Sequence, residues 1–216
     1  LQTGTLTNLT NDLANQFHLA WSGNALNLSI YQEELSNSGT QIHTIGIYDV
    51  TNKNLQQTIF FEEIRGGPYL YSALCNLEMS PTGQYITFSS FCDSTAFEDP
   101  KELYLVDVAQ STVNALTNFT VNLAPDANSS FNPIFAAYDT MWYDPDTLFI
   151  GAIYPNETDR NRTDSQTLIY RPSTNQFTSL NSGVTQYLQR NPVNDFISFH
   201  YQENGLRSVR LATFDE

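Results

Sequence analysis

The chain offers few side chains suited to catalysis and no motif that gathers them. Three histidines, His18, His43 and His200, fall on separate predicted strands, so a metal triad would need the fold to make them converge. Asp139, Asp144 and Asp146 crowd residues 138–147. Hard carboxylate oxygens this close could hold Ca2+, which takes roughly six to eight oxygen ligands. The run Asp144, Pro145, Asp146 also suits a plain strand-connecting turn, where Asp and Pro are favoured. No EF-hand spacing accompanies it, and the sequence points to no other cofactor. With 23 acidic residues, some carboxylate pair would always fit the separation that glycoside hydrolysis needs, and no motif singles one out. There is no Gly-x-Ser-x-Gly elbow, Walker loop, Gly-x-Gly-x-x-Gly or His-Glu-x-x-His. No catalytic residue is therefore assigned. Tyr69, Tyr71, Trp142, Tyr143, Tyr154 and Tyr201 lie near predicted strand ends, where they could stack on sugars or anchor a partner protein. Packing between sheets would use the same rings.

The two cysteines, Cys75 and Cys92, carry no Cys-x-x-Cys or Cys/His clustering, which argues against metal. They sit at the outer ends of predicted strands flanking one turn, so they form either a disulfide or two free thiols, the former in an oxidising compartment. Asn8, Asn27, Asn118, Asn128, Asn156 and Asn161 head Asn-x-Ser/Thr sequons and are glycosylation candidates. Charged residues make up only 15%, below the roughly 25% of an average soluble protein. Asn, Thr, Ser and Gln replace them, a surface more usual outside the cell.

Nine basic against 23 acidic residues leave a net charge of −14. That balance repels phosphate backbones and anionic headgroups, excluding nucleic acid and bare membrane as partners and leaving cations, basic proteins and neutral glycans. No run approaches the length of a membrane span. The chain begins at Leu1 without a signal peptide, so the expectation is a processed or excised piece of something longer. The expected location is extracellular, cell-surface or periplasmic.

The elements that must position these residues are strands. Helical signals are short and lack a sustained 3.6-residue stripe, the best being 11–17 and 96–102. What recurs is a strand of five to eight residues rich in Ile, Leu, Val, Phe, Tyr and Thr, bounded by Gly, Pro, Asn, Asp or Ser. An ordered set of such strands repeats four times. A short strand leads, at 17–21, 75–79, 136–143 and 186–189. A turn and an apolar strand follow, at 23–31, 83–90, 145–153 and 194–200, then a third strand at 41–50, 102–108, 166–170 and 206–211. A more polar fourth strand closes three units, at 55–61, 111–117 and 176–180. The blade-like units run about 14–62, 70–118, 133–181 and 185–216 of one domain. Residues 3–11 read like 110–118 and could supply the missing strand, closing a ring and covering an otherwise exposed sheet edge. Four strands per unit, repeated radially, predict an all-β propeller.

Within the second unit, Ser80, Pro81, Thr82 and Gly83 open the apolar run Tyr85 to Ser89; Leu103 to Asp107 and the Leu116, Thr117 pair follow. This stretch, residues 74–118, resembles the WD40-like (PD40) repeat of TolB-type β-propellers, with Thr82 where that pattern has Asp. The other units match in strand order and spacing. The resemblance implies a propeller, and such rings usually have six or more blades, so this is either a small ring or a slice of a longer one. The expected function is a non-enzymatic extracellular or cell-surface module that binds a protein partner or self-assembles. The alternative is a glycan-active propeller, or the propeller of a larger secreted hydrolase or peptidase.

Overall fold

The computed structural model describes residues 9–10, 15–35, 39, 41–60, 75–89, 103–116, 136–155, 163–180, 184–191, 196–203 and 206–213. Every regular element among them is a strand. The first sheet holds β1 (Asn15–Trp21), β2 (Asn27–Leu35), β3 (Gln41–Asp49) and β4 (Asn54–Phe60). The second holds β5 (Cys75–Met79), β6 (Tyr85–Ser89), β7 (Leu103–Asp107) and β8 (Thr112–Ala115). The third is β9 (Ala136–Asp144), β10 (Thr147–Pro155), β11 (Thr163–Arg171) and β12 (Gln176–Leu180). The fourth is β13 (Val184–Arg190), β14 (Phe196–Glu203) and β15 (Leu206–Thr213). Within each sheet the strands lie in chain order, each antiparallel to the next.

The sheets stack face on face. Ala20, Tyr31, Ile45, Ile47 and Ile59 of the first pack against Leu77, Met79, Ile86, Phe88 and Val106 of the second. Leu103 and Leu105 of the second meet Trp142, Leu148, Ile150 and Tyr170 of the third. Met141, Phe149 and Ile169 of the third meet Leu188 and Ile197 of the fourth. Each of the first three sheets thus presents a leading face to the trailing face of the next. A middle strand is covered on both sides, so it reads as an unbroken apolar run: Leu148, Phe149 and Ile150 are all buried. The last strand of a sheet lies outermost and is mostly exposed, as in β4 and β8, which is why it reads as polar. The first strands form the innermost row, β1 against β5, β5 against β9 and β9 against β13. This is the radial arrangement of propeller blades.

Among the described residues β13 does not pack on β1 as β1 does on β5, so the four sheets form an open array. The expected closing strand, 3–11, lies outside the described residues except for Leu9 and Thr10, which form no strand. Leu9 packs against Leu28, Ile30 and Tyr48 on the trailing face of the first sheet.

Repeated local geometry sits beneath unlike sequences. In the β1–β2 turn, Ser22 N–H donates to the Asn27 carbonyl at 2.9 Å and its Oγ accepts from Asn27 N–H at 3.0 Å. Ser80 repeats both bonds with Tyr85, at 2.8 and 3.0 Å. The third turn residue is left-handed in each, Ala25 at φ 57° and Gly83 at φ 77°. The β3–β4, β7–β8 and β11–β12 hairpins likewise share a left-handed residue: Lys53, Ser111 and Asn175. Asp49 and Asp107 open two of these hairpins by accepting the backbone N–H three residues on. Neighbouring turns touch across the first interface. Asn24 N–H donates to the Pro81 carbonyl at 3.2 Å, and a Cβ on Gly23 would stand 2.8 Å from Pro81 Cα.

Candidate functional site

Each innermost strand breaks register with its partner: β1 between Phe17 and Leu19, β5 between Cys75 and Glu78, β9 opposite Gly151 and Ala152, β13 between Gln186 and Gln189. A bulge adds a residue and re-aims the side chains around it. At the first bulge His18 adopts φ 42° and places its ring 6.5 Å from that of Tyr31. Tyr31 is the centre of a polar cluster spanning β2 and β3. Its hydroxyl donates to Glu33 Oε1 at 2.7 Å and lies 2.6 Å from His43 Nδ1, which is 3.5 Å from the same carboxylate. One hydroxyl has one proton. With Glu33 accepting it, the 2.6 Å contact requires His43 to donate from Nδ1 to the phenol oxygen. Burial first, then the hydrogen bond and charge of Glu33, hold Tyr31 far above the usual phenol range, so it stays neutral. The register Glu33 opposite His43 creates this cluster. His18 and His43 both flank Tyr31. His200 does not join them: it is on the fourth sheet, which does not adjoin the first, and its side chain is outside the described set.

A second group lies further along the inner row. Asp139 on β9 accepts the backbone N–H of Leu188 at 2.7 Å, satisfying a donor in the β13 bulge and tying the third sheet to the fourth. Burial, and then the nearby Asp139 carboxylate, push Glu78 on β5 up to about 8. Glu78 therefore carries a proton at neutral pH. Asp144 and Asp146 lie at the other end of β9, roughly 15 Å away at about 3.3 Å per residue. Asp144 Oδ1 accepts Asp146 N–H at 2.7 Å, and Asp146 accepts both the N–H and the hydroxyl of Ser173 in the next turn. The three aspartates thus each accept hydrogen bonds of their own. Among the described residues no group of three His, Cys, Asp or Glu could hold a metal ion.

Trp142 and Tyr143, offered by the sequence as surface rings, are packing residues. Trp142 is 6% exposed and stacks on Tyr85 of the preceding sheet at 5.9 Å. Tyr143 is edge-on to Phe149 and lies 4.9 Å beneath the Arg190 guanidinium of the fourth sheet. The reason is position: both lie on an innermost strand, between blades. The side chains of Tyr154 and Tyr201, the whole of Tyr69 and Tyr71, and the pairing of Cys75 with Cys92 lie outside the described residues. So do Asn8, Asn118, Asn128, Asn156 and Asn161. Asn27 opens β2 and is half-buried, its Nδ2 lying 2.9 Å from where a Cβ on Gly83 would stand.

Exposed apolar side chains mark another feature. On the trailing face of the first sheet, Leu19, Trp21, Leu55 and Phe60 each remain about half or more exposed, beside the buried Leu28, Ile30 and Tyr48. Their register partners, Ile30, Leu28, Tyr48 and Thr44, put all four on that one face. On the leading face of the fourth sheet, Phe196 is 40% exposed and Val209 and Leu211 are 68% and 70% exposed. Val209 and Leu211 stand opposite His200 and Ser198, away from the Ile197 face that packs on the third sheet. Apolar side chains are thus exposed on the outward face of the fourth sheet and around the buried Leu28, Ile30 and Tyr48 of the first.

No family model matches the chain, and no curated protein matches it in sequence. Solved structures share its fold. It is similar to a puromycin hydrolase at 10% identity over 96% of this chain and 28% of that one, with a TM-score of 0.53. It is also similar to the β-propeller domain of the Trilobed protease from Pyrococcus furiosus, at 12% identity over 92% of this chain and 57% of that one, TM-score 0.45. The acylaminoacyl peptidase of Pyrococcus horikoshii gives 9% identity, 91% and 32% coverage and a TM-score of 0.43. The chain therefore spans between about a quarter and three-fifths of these structures. Among the described residues no helix is long and apolar enough to cross a membrane.

The residues missed by sequence reasoning are Tyr31, Glu33 and Glu78, together with the apolar residues of the end faces. Leu19 and Trp21 share a face by strand parity alone. Parity could not tell that this face would be an end.

Proposed function

We propose that this chain is an extracytoplasmic β-propeller that acts as an interaction or assembly module, with no catalytic role of its own. The observation that carries the reading is the set of exposed apolar residues on the outward sides of the first and fourth sheets. Single exposed apolar residues are ordinary, whereas several together on one face mark an interaction site. The weakly charged polar surface, the sequons and the cysteine pair support an oxidising location outside the cytoplasm. A Cys75–Cys92 disulfide and glycans at the sequons belong to this reading, as does kinship with the TolB-type repeat. The partner is a protein or a copy of the chain, with a glycan as a further ligand class.

The likeness to the puromycin hydrolase fits a second reading equally: the propeller segment of a larger secreted hydrolase or peptidase, or a glycan-active propeller. Native mass spectrometry with cross-linking, on material from the natural source, separates the two. The module reading expects a defined assembly with cross-links at the first and fourth sheets. Turnover of aminoacyl or glycan substrates by that assembly would favour the second reading. A lone species near 24.4 kDa plus sugar, bound to nothing, would sink the first.

A further inference from the structure

We propose that Glu78, Thr87 and Thr140 form a calcium site between the second and third sheets, entered from the innermost row of strands. The inference is independent of the assembly reading. Glu78 on β5 stands opposite Thr87 on β6, so their side chains share one face of the second sheet. Thr87 in turn stands opposite Leu105, which packs on the third sheet, so the shared face is the one turned toward β9. From the other side, Thr140 is two residues from Trp142, which packs on the second sheet, and so points the same way. Its hydroxyl faces the Glu78 carboxyl. Thr87 and Thr140 are 0% and 2% exposed, and neither hydroxyl completes a hydrogen bond of ordinary geometry among the described residues. Buried hydroxyls nearly always have partners, so two such groups beside a carboxyl mark a place for a further atom.

Charge and donor type say which atom. Every side chain turned into the site brings oxygen, the donor that Ca2+ prefers. Asp139, next along β9, faces the fourth sheet through its bond to Leu188, and its charge still acts on Glu78. Two carboxyls match a divalent ion, and the net charge of −14 favours it further. Without the ion Glu78 keeps a proton. The ion takes that proton's place, and the proton leaves to solvent. Glu78 is partly exposed on an innermost strand, which gives the ion a way in. The side chains supply part of the roughly six to eight oxygens that Ca2+ takes, and water from the inner row supplies the rest. Asp144 and Asp146 play no part, being engaged in turns at the far end of β9.

The test uses the whole purified chain, stripped of metal with EDTA and dialysed at pH 8 against a calcium series up to millimolar. The expected result is about one ion retained per chain, with a melting temperature raised by about 3–8 °C at saturation. Glu78→Gln should bind about 100-fold more weakly or worse and lose the shift. Thr140→Val keeps the shape and removes a buried hydroxyl, so without metal it should melt at or above the parent. It should nonetheless bind calcium about tenfold more weakly or worse. Equal uptake by the parent and Glu78→Gln would mean an adventitious ion on the acidic surface and would overturn the proposal. A parent that retains no calcium and melts unchanged would also sink it, the hydroxyls then holding water alone. Sodium chloride at matched ionic strength is the last arm, and an equal shift there would rule calcium out as the ligand.

Discussion

Glu78 sits in an environment that its charged form does not prefer. A carboxyl held near pKa 8 by burial and by Asp139 keeps its proton in the folded protein, where the unfolded chain would release it near the ordinary value of 4.5. The folded state therefore binds more protons than the unfolded state between those two values, and stability must fall as pH rises through that window. Above pH 8 the full penalty of a buried charge remains. Glu78→Gln keeps the shape and removes the charge. It is expected to unfold like the parent near pH 4.5 and to be more stable by about 2–4 kcal/mol at pH 9. Urea denaturation of both proteins at pH 5, 7 and 9 measures the difference, and parallel pH curves would rule the mechanism out. Tyr31 shows the opposite balance. It too is buried, but its hydroxyl is held between Glu33 and His43, so its polar group is satisfied in place.

The turn before each second strand shows how one backbone shape tolerates different residues at different cost. Gly83 and Ala25 occupy the same left-handed position, and only Gly adopts it without strain. Gly83→Ala adds that strain and a Cβ 2.9 Å from Asn27 Nδ2. It is expected to lower stability by about 1–2 kcal/mol. Ala25→Gly relieves the strain, opposed by the extra freedom of Gly in the unfolded chain, and should raise stability by up to about 1 kcal/mol. Thermal melts of the two variants should move in opposite directions. Shifts of the same sign would show that the two turns are not equivalent. Gly23 has a different reason for being Gly, since its lack of a side chain lets the first turn rest on Pro81 of the second.

Across the molecule, each sheet contacts only its neighbours, so its stability depends on how many it has. The second and third sheets are covered on both faces. The fourth is covered on one and has three strands among the described residues. In dilute protein, the paired amides of β14 and β15 should exchange with deuterium about tenfold faster or more than those of β6 and β10. Exchange mass spectrometry reads this directly, and uniform protection would mean that the array opens only as one unit.

The strands were legible in the sequence because alternation and turn chemistry are local. β5, at Cys75–Met79, and β12, at Gln176–Leu180, match their predicted ends, and the four-fold order of strands implies a radial array. Strand β13 was read short and β11 late; Thr163–Ser165 is too polar to signal a strand without the partner that pairs with it. The candidate sites were less legible. Glu33 meets His43 through the register of β2 on β3, and Glu78 feels Asp139 across a blade interface from 61 residues away. Distances of that kind follow from packing, which no local pattern encodes. Trp142 and Tyr143 look like surface rings in sequence, and only the neighbouring sheets decide that Trp142 is interior and Tyr143 partly buried. Openness was decided by tertiary structure in the same way. A strand such as β10 is apolar on both faces whether a sheet lies beyond it or not, and whether four sheets meet depends on the angle at each interface. The sequence by itself determined strands, turns and their repeated order. The tertiary structure decided which faces are covered, because that depends on the rotation accumulated from one sheet to the next.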